Sequence, residues 1–190
     1  MRVVSFGLLL ASLGLVSLSL SSCSYYSKTE NVTINYQSNN KHSSIHEFVN
    51  YKERLPQSIN TYGEKTILVD PNVHAWGAYE SDGQLVRAGL ATAGNSWCPD
   101  IGRPCRTKAG SFHINSLGNA GCKSSIYPLH HPGAPMPYCM FFNRNQGLHG
   151  SYNVVEGNQS HGCVRMRVED AEWVRYNFAN IGTRVVVKPY

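Results

Sequence analysis

One cysteine and two histidines near the end of the chain have the types and spacing that nucleophilic catalysis requires. His149 is followed by Gly150, and Ser160-His161-Gly162 leads directly into Cys163. A cysteine attacks a carbonyl as its thiolate, and a nearby imidazole can take the thiol proton and leave an ion pair. Glycine permits tight turns, which can direct successive N–H groups at an oxyanion. The pattern predicts a cysteine nucleophile, with a buried or disulfide-bonded structural cysteine as the alternative.

Two further pairs of cysteines are predicted to stabilise the fold. Apart from Cys23 and Cys163, the cysteines of the chain are Cys98, Cys105, Cys122 and Cys139. Together with Cys163 these four make an odd number of cysteines, which in an exported chain indicates disulfides plus one free thiol. We expect the first two to pair as a short clip and the last two to pair with each other, although four cysteines allow three pairings. A zinc site with His130 or His131 is disfavoured because close ligand pairs are missing.

The first 22 residues have the composition of an export signal. Arg2 is the only charge, Val3 to Leu20 is apolar, and two serines follow. This order of basic start, apolar middle and small-residue end is typical of a segment that is removed from the mature protein. A transmembrane anchor is the alternative, because the apolar run is just long enough to span a bilayer. The serines within it lower its hydrophobicity.

The end of this segment resembles the lipobox of bacterial lipoproteins. Leu20-Ser21-Ser22 precedes Cys23 directly. The resemblance implies that Cys23 is acylated and becomes the first residue after cleavage, so that a lipidated N-terminus holds the protein to a membrane. Several acyl chains are needed for this, because one chain binds only marginally. Ser24 in the next position implies the outer membrane, with the domain on the periplasmic side of the cell envelope.

The charge of the chain is mildly positive and scattered. Without residues 1–22, Lys plus Arg falls from 17 to 16 while Asp plus Glu stays at 12, which gives +4. The basic residues form no stripe, so the sequence predicts no nucleic-acid binding. A carboxylate-rich polymer suits this balance. Residues 23–62 are rich in Ser, Asn, Tyr, Lys and Gln and predict a polar tether, with a short helix over 46–54.

Residues 63–190 predict a mostly β domain with one or two packed helices. Segments rich in β-branched and aromatic residues, bounded by turn residues, predict strands at 67–69, 74–80, 84–92, 112–114, 138–142 and 184–187. Ser81-Asp82-Gly83 predicts a hairpin turn, and 94–105 and 115–137 predict loops. A helix is expected from Val168, with acidic residues in its first turn, to Gly182. Antiparallel hairpins and an apolar last strand favour a β-sandwich or a partly closed barrel.

The segment around the cysteine resembles a known family. His149-Gly150 followed by Ser160-His161-Gly162-Cys163-Val164-Arg165-Met166 is similar to the signature of the L,D-transpeptidase catalytic domain, the YkuD family. Ala93-Gly94 and residues 107–112, Thr-Lys-Ala-Gly-Ser-Phe, resemble the family's strand-end glycine and its Thr-Pro-x-Gly-x-Phe element. The resemblance covers about residues 65–190. Two departures are Lys108 in place of the usual proline and a short interval between His149 and Ser160.

The resemblance implies a role for each matching residue. Cys163 is implied to be the nucleophile, and His149 its proton partner, oriented by the carbonyl of Gly150. The residues implied to shape the oxyanion pocket and its turn are His161, Gly162, Ser160 and the amide of Cys163. Arg165 is implied to position this turn or to pair with a substrate carboxylate, with an ordinary salt bridge as the alternative.

Three residues upstream of His149 are expected to line the acyl pocket, although core packing is the expected role of at least one of them. They are Tyr138, Met140 and Phe141. The connecting loop at 115–137 is expected to influence which acceptor reaches the acyl-enzyme.

The reaction implied by the resemblance is a two-step acyl transfer in peptidoglycan. Cys163 attacks the third, diamino-acid residue of a stem peptide and expels the terminal D-alanine. An amine of a neighbouring stem then captures the acyl-enzyme. No metal or organic cofactor is required, because the covalent intermediate replaces one difficult step by two easier ones.

Several alternatives use the same segment. Capture of the acyl-enzyme by water would make the protein an L,D-carboxypeptidase, and capture by a protein lysine would make it an anchoring enzyme. A papain-like hydrolase is disfavoured because both histidines precede Cys163. A non-catalytic envelope-binding lipoprotein is the alternative outside enzymes.

Overall fold

The computed structural model describes residues 49–190. The predicted signal segment, the lipidation residue Cys23 and the first part of the predicted tether lie outside the described residues. Within 49–190, no helix combines the length and the apolar character needed to cross a membrane.

The described residues form nine strands, arranged in two sheets, and one short α-helix. The strands are β1 (Thr66–Asp70), β2 (Ala75–Tyr79), β3 (Leu85–Leu90), β4 (Gly110–His113), β5 (Ser116–Leu117), β6 (Met140–Asn143), β7 (Gln146–Gly150), β8 (Val164–Met166) and β9 (Arg184–Val187). One sheet has the order β3-β2-β1-β9-β4 and the other has the order β5-β6-β7-β8. The pairs β1–β9 and β7–β8 are parallel and the other pairs are antiparallel.

The central strands of the five-stranded sheet are buried on both faces. Successive side chains of a strand point to opposite faces, and in β1 Ile67 and Val69 join the main core while Leu68 joins a second cluster. The main core also takes Leu148 and Val164 from the four-stranded sheet. The two sheets therefore pack around a common core, and burial of this apolar surface is the main favourable term in folding.

Residues 49–62 belong to the folded part of the protein rather than to the predicted tether. A 3-10 helix spans Tyr51–Arg54, and Tyr51 and Leu55 are buried in the second cluster. Ser58 forms an isolated β-bridge with Gln84. The polar composition concealed this segment, because Tyr51 and Leu55 are its only members of the buried cluster and are too few to show a periodic pattern. The predicted domain start at residue 63 is therefore too late.

The C-terminal helix changes its hydrogen bonding part of the way along. Helix α1 spans Val168–Trp173, and a π-helical turn follows over Val174–Phe178. The amide of Ala179 donates to the carbonyl of Val174 at 2.7 Å, which closes this wider turn. The wider turn places Val174 and Phe178 in the main core. The helical segment thus ends at Phe178, before the predicted end at Gly182.

The mostly β class and the two-sheet sandwich predicted from the sequence are confirmed, and neither sheet closes into a barrel. The hairpin turn before Gln84 is also present, with Gly83 at φ +89°. Strands β7 and β8 lie outside the predicted strands, and a third strand was missed in the predicted loop 115–137, the two-residue β5. It was missed because two residues are too short to show alternation.

Candidate active site

Cys163 lies just before β8 and is a free cysteine with a partly exposed side chain. It lines a cleft of about 420 Å³ together with His149, His161 and Arg165. The far wall comes from the loop at 115–137, through Ile126, Tyr127 and Met136 among others. The structure therefore brings the predicted nucleophile and both histidines of the motif to one cleft.

The parallel pair of strands β7 and β8 explains how residues 14 positions apart reach the same place. His149 is the register partner of Arg165, and Leu148 is the register partner of Val164. Because side chains alternate, Leu148 and Val164 point into the core. His149 and Arg165 lie on the other face and line the cleft, where Cys163 precedes the first residue of β8.

The imidazole of His149 is buried and is oriented by the backbone. Nδ1 lies 2.8 Å from the carbonyl oxygen of Gly150, and the residue is only 6% exposed. Burial lowers the pKa of His149 to about 4; the Gly150 carbonyl opposes this shift and the charge of Arg165 adds to it. His149 is therefore neutral near pH 7, with Nε2 available to accept a proton.

The surroundings of the Cys163 thiol also disfavour its charged form. Burial raises the pKa of Cys163, although the backbone N–H of Gly147 and the charge of Arg165 act in the opposite direction. Its Sγ donates a hydrogen bond to the carbonyl oxygen of Asn145 at 3.5 Å, and within residues 49–190 it makes none to His149. The pKa shifts of both groups thus favour a neutral thiol and a neutral imidazole over the ion pair expected from the sequence.

A network of backbone and hydroxyl groups closes the turn that carries Cys163. Ser160 Oγ donates to the carbonyl of Cys163 and accepts from the amide of Gly162 at 3.1 Å. Gly162 has φ +119°, a conformation that a side chain would strain. Outside the regular strand ladders, no hydrogen bond of the described residues uses the Cys163 amide. The Gly162 amide is thus occupied by Ser160 Oγ, whereas the Cys163 amide is free to donate a hydrogen bond to an oxyanion.

Three residues that the sequence did not assign to the site support this turn. Thr107 Oγ1 accepts from the amide of Gly94 and donates to the carbonyl of Gly162, both at 2.9 Å. The hydroxyl of Tyr190 donates to the carbonyl of Gly94 at 2.7 Å and accepts from the amide of Thr107 at 2.9 Å. Gln146 accepts from the amide of Lys108. Gly94 and Thr107 lie in the segments of the family resemblance, whereas Gln146 and Tyr190 had no sequence signal.

His161 contacts loops on both sides of the cleft. Its Nε2 lies 2.8 Å from a carboxylate oxygen of Asp100, and its ring centroid lies 4.6 Å from that of Tyr127. Cys98, Asp100 and His161 are close enough together to be considered as metal ligands. The sulfur of Cys98 is bonded to Cys105, however, so this group offers two ligand atoms in the disulfide form.

The two disulfides expected from the sequence, Cys98–Cys105 and Cys122–Cys139, are present in the structure. All four sulfurs are therefore engaged, and the alternative zinc site with His130 or His131 has no thiolate to use.

The three residues expected to line the acyl pocket are placed differently from one another. Phe141 lines the cleft. Met140 is fully buried in the main core, because alternation along β6 turns it inward. Tyr138 precedes β6, and its hydroxyl donates to Glu172 at 2.8 Å, outside the cleft. Met140 thus has the core-packing role that was expected of at least one of the three, and the expectation that Tyr138 lines the pocket is corrected.

Arg165 lines the cleft without a carboxylate partner. Within residues 49–190, no salt bridge involves Arg165, so the alternative of an ordinary salt bridge is not realised there. Its backbone pairs with Thr92 in both directions, at 3.0 and 2.9 Å. The backbone of Arg165 is thus held in place by Thr92, and its side chain lines the cleft.

These features define a β-sandwich domain whose cleft holds a free cysteine and a buried, backbone-oriented histidine. The chain belongs to the YkuD family, the L,D-transpeptidase catalytic domain, which its sequence matches over residues 64–187. No curated protein matches the sequence significantly.

Solved structures share this fold. An L,D-transpeptidase from Xylanimonas cellulosilytica has a TM-score of 0.61 and 24% identity, over 72% of this chain and 66% of that one. One from Stackebrandtia nassauensis has a TM-score of 0.57 and 22% identity, over 70% and 59%. An LD transpeptidase in complex with imipenem has a TM-score of 0.55 and 19% identity, over 65% and 58%. This chain thus spans 58–66% of the length of these structures.

Proposed function

We propose that this protein is a peptidoglycan L,D-transpeptidase that forms cross-links between the third residues of two stem peptides through an acyl-enzyme on Cys163. The observation that carries the proposal is the shared cleft of Cys163, His149 and Arg165, in a chain of the L,D-transpeptidase family. A free thiol beside a base with an available lone pair is the arrangement that nucleophilic catalysis uses.

In the first step, Nε2 of His149 takes the thiol proton while Sγ attacks the carbonyl carbon of the third residue. The neutral resting pair favours proton transfer during the attack over a preformed ion pair. The amide of Cys163 donates to the oxyanion of the tetrahedral intermediate. When that intermediate collapses, the carbon–nitrogen bond breaks, and D-alanine leaves with the proton from His149.

In the second step, the side-chain amine of a neighbouring stem attacks the thioester. His149 accepts a proton from the amine, and the thiol of Cys163 is regenerated with the new amide bond. An anionic stem suits the cleft, because Arg165 lines it without a partner among the described residues. Water or a protein lysine as the acceptor would define the carboxypeptidase or anchoring alternatives.

We further propose that the protein is a lipoprotein anchored through Cys23, on the periplasmic side of the outer membrane. The support for this proposal is the apolar run that ends at Leu20-Ser21-Ser22-Cys23. Mass spectrometry of the N-terminal peptide from the native host tests it. An acylated Cys23 is expected, and an unmodified Met1 or Ser24 at the N-terminus would contradict it.

The direct test is to incubate the purified protein with tetrapeptide stems and to identify the products by mass spectrometry. We expect dimers that lack one D-alanine, and none with Cys163→Ala at unchanged circular dichroism. Ser151→Ala is the matched control, since this residue also lines the cleft but has no proposed chemical role. Cross-linking at the native level by Cys163→Ala would refute the proposal, and trimmed monomers alone would favour the carboxypeptidase.

A second test separates an enzyme from a non-catalytic binding protein. One structure of similar fold was solved in complex with imipenem, so a carbapenem is a reasonable probe of Cys163. We expect one covalent adduct per chain in intact-protein mass spectrometry, and none with Cys163→Ala. A native protein that stays unmodified would favour the binding protein.

A further inference from the structure

The walls of the Cys163 cleft carry positive charges and no negative charge. Its lining includes three basic side chains, Arg103, Lys123 and Arg165, and no aspartate or glutamate. The chain as a whole has 17 Lys and Arg against 12 Asp and Glu, whereas all the charged residues of the cleft lining are basic. A cleft lined by one sign of charge focuses the electric field and concentrates ligands of the opposite sign.

The described residues do not neutralise these three cations. The salt bridges within 49–190 use Arg54, Lys65, Arg87, Lys188 and two histidines. Of the residues in these pairs, His161 lines the cleft, and its partner is Asp100 at 2.8 Å. The charge of the cleft is therefore available to a ligand.

Arg103 and Lys123 reach the cleft from two different loops, and each loop is tied by a disulfide. Arg103 lies between Cys98 and Cys105, and its carbonyl accepts from the amide of Cys98 at 3.0 Å. Lys123 follows Cys122, which is bonded to Cys139, and it forms an isolated β-bridge with Pro135. Both side chains are exposed, and a backbone held in this way loses less conformational entropy when a ligand binds.

We propose that Arg103 and Lys123 form a carboxylate subsite, which selects stem peptides with a free non-terminal carboxylate over the corresponding carboxamide. The proposal rests on the proposed function, since it takes the ligand to be a stem peptide. A carboxylate can accept charge-assisted hydrogen bonds from a guanidinium or an ammonium group. A carboxamide is neutral and offers N–H groups to side chains that can only donate, so half of its polar surface is mismatched.

The experiment measures equilibrium binding to the full chain carrying Cys163→Ala, which prevents turnover. The probes are two synthetic tetrapeptide stems that differ only in one non-terminal carboxylate or carboxamide. We expect the acid form to bind about 10-fold more tightly at low salt, and this advantage to shrink between about 0.05 and 0.5 M salt as charges are screened. The affinity for the amide form should change little.

Substitutions in the same background assign the preference to the two residues. Arg103→Gln and Lys123→Gln are each expected to lower the acid-to-amide ratio about 3- to 10-fold, in the range for charged hydrogen bonds. Arg103→Lys and Lys123→Arg should keep most of it, which a merely structural role would not predict. Lys108→Gln is the matched control: it removes a nearby charge whose side chain does not line the cleft, and the ratio should stay unchanged.

The outcomes separate the subsite from the activity. Equal affinity for both peptides, or a ratio that neither glutamine variant changes, would overturn the subsite. Acid-selective binding without any product from the native protein would reject the proposed reaction and support the subsite. Equal turnover of both peptides by the native protein, with equal binding, would support the reaction and reject the subsite.

Discussion

Nδ1 of His149 lies 2.8 Å from the carbonyl oxygen of Gly150, the next residue along the chain. A carbonyl oxygen can only accept a hydrogen bond, so Nδ1 carries the proton and Nε2 keeps its lone pair. The orienting group has no negative charge and therefore does little to stabilise an imidazolium. With the ring buried, this relationship makes His149 a neutral base in the resting protein.

The role of His149 as the base is tested by His149→Gln. Glutamine fills part of the same space but cannot take a proton, so acylation of Cys163 by a carbapenem should slow about 10²- to 10⁴-fold. The rate is measured by intact-protein mass spectrometry over time. His113→Gln is the control, because that ring is exposed and pairs with Glu64 at 3.3 Å. Acylation of His149→Gln at the native rate would exclude the role.

The lowered pKa of His149 predicts a pH dependence of stability. The folded pKa is about 4 and the unfolded value is 6.5. Between these values the unfolded chain binds more protons, so stability is full above pH 6.5 and falls as the pH drops toward 4. A shift of this size corresponds to about 3 kcal/mol of unfolding free energy at most.

Urea unfolding at both ends of this pH window measures the effect. The unfolding free energy of His149→Gln should fall less between pH 6.5 and about 4 than that of the native protein. The variant lacks the imidazole, whereas all other groups titrate equally in the two proteins. An identical loss in the two proteins would show that His149 does not carry this proton linkage.

The raised pKa of Cys163 predicts its alkylation behaviour. Since the thiolate is the reactive species, the rate with iodoacetamide should keep rising with pH beyond the range in which free cysteine reaches its plateau. Free cysteine under the same conditions is the reference, and the modified thiol is located by peptide mapping. A plateau reached already below pH 7 would indicate the thiolate–imidazolium pair that the sequence suggested.

Thr107 is predicted to hold the nucleophile turn through its hydroxyl. Thr107→Val keeps the shape but leaves the amide of Gly94 and the carbonyl of Gly162 without their partner. We expect a loss of about 1–3 kcal/mol of unfolding free energy and slower acylation of Cys163. Thr107→Ser keeps the hydroxyl and should recover most of both. A loss in Thr107→Ser that is absent from Thr107→Val would point to the methyl group instead.

The predictable parts of the fold are those with local signals. The hairpin before Gln84 depends on Asp82-Gly83, and Gly83 takes the positive φ that only glycine adopts easily. Strands such as β1 and β9 are runs of aliphatic residues. The π-helical turn at Val174–Phe178 and the burial of Tyr51 had no such signal, because both depend on packing against distant strands.

The site likewise has parts that local sequence signals predict and parts that depend on packing. The motif identified Cys163, His149 and the turn between Ser160 and Cys163 because covalent chemistry restricts the residue types. The contributions of Asp100, Gln146 and Tyr190 were not predictable, since each acts through contacts with residues distant in the sequence that form only in the folded chain. The inward position of Met140 was missed because the sequence does not state which face of β6 meets the core.

The sequence by itself determined which reactive groups this protein has: a thiol, two imidazoles and a guanidinium in a motif that places them close together. Their protonation was decided only by the tertiary structure. Burial of His149 and Cys163 disfavours both charges, and burial is a property of the packed sheets rather than of the motif. The loops that carry Arg103 and Lys123 to the cleft likewise meet only after the chain has folded.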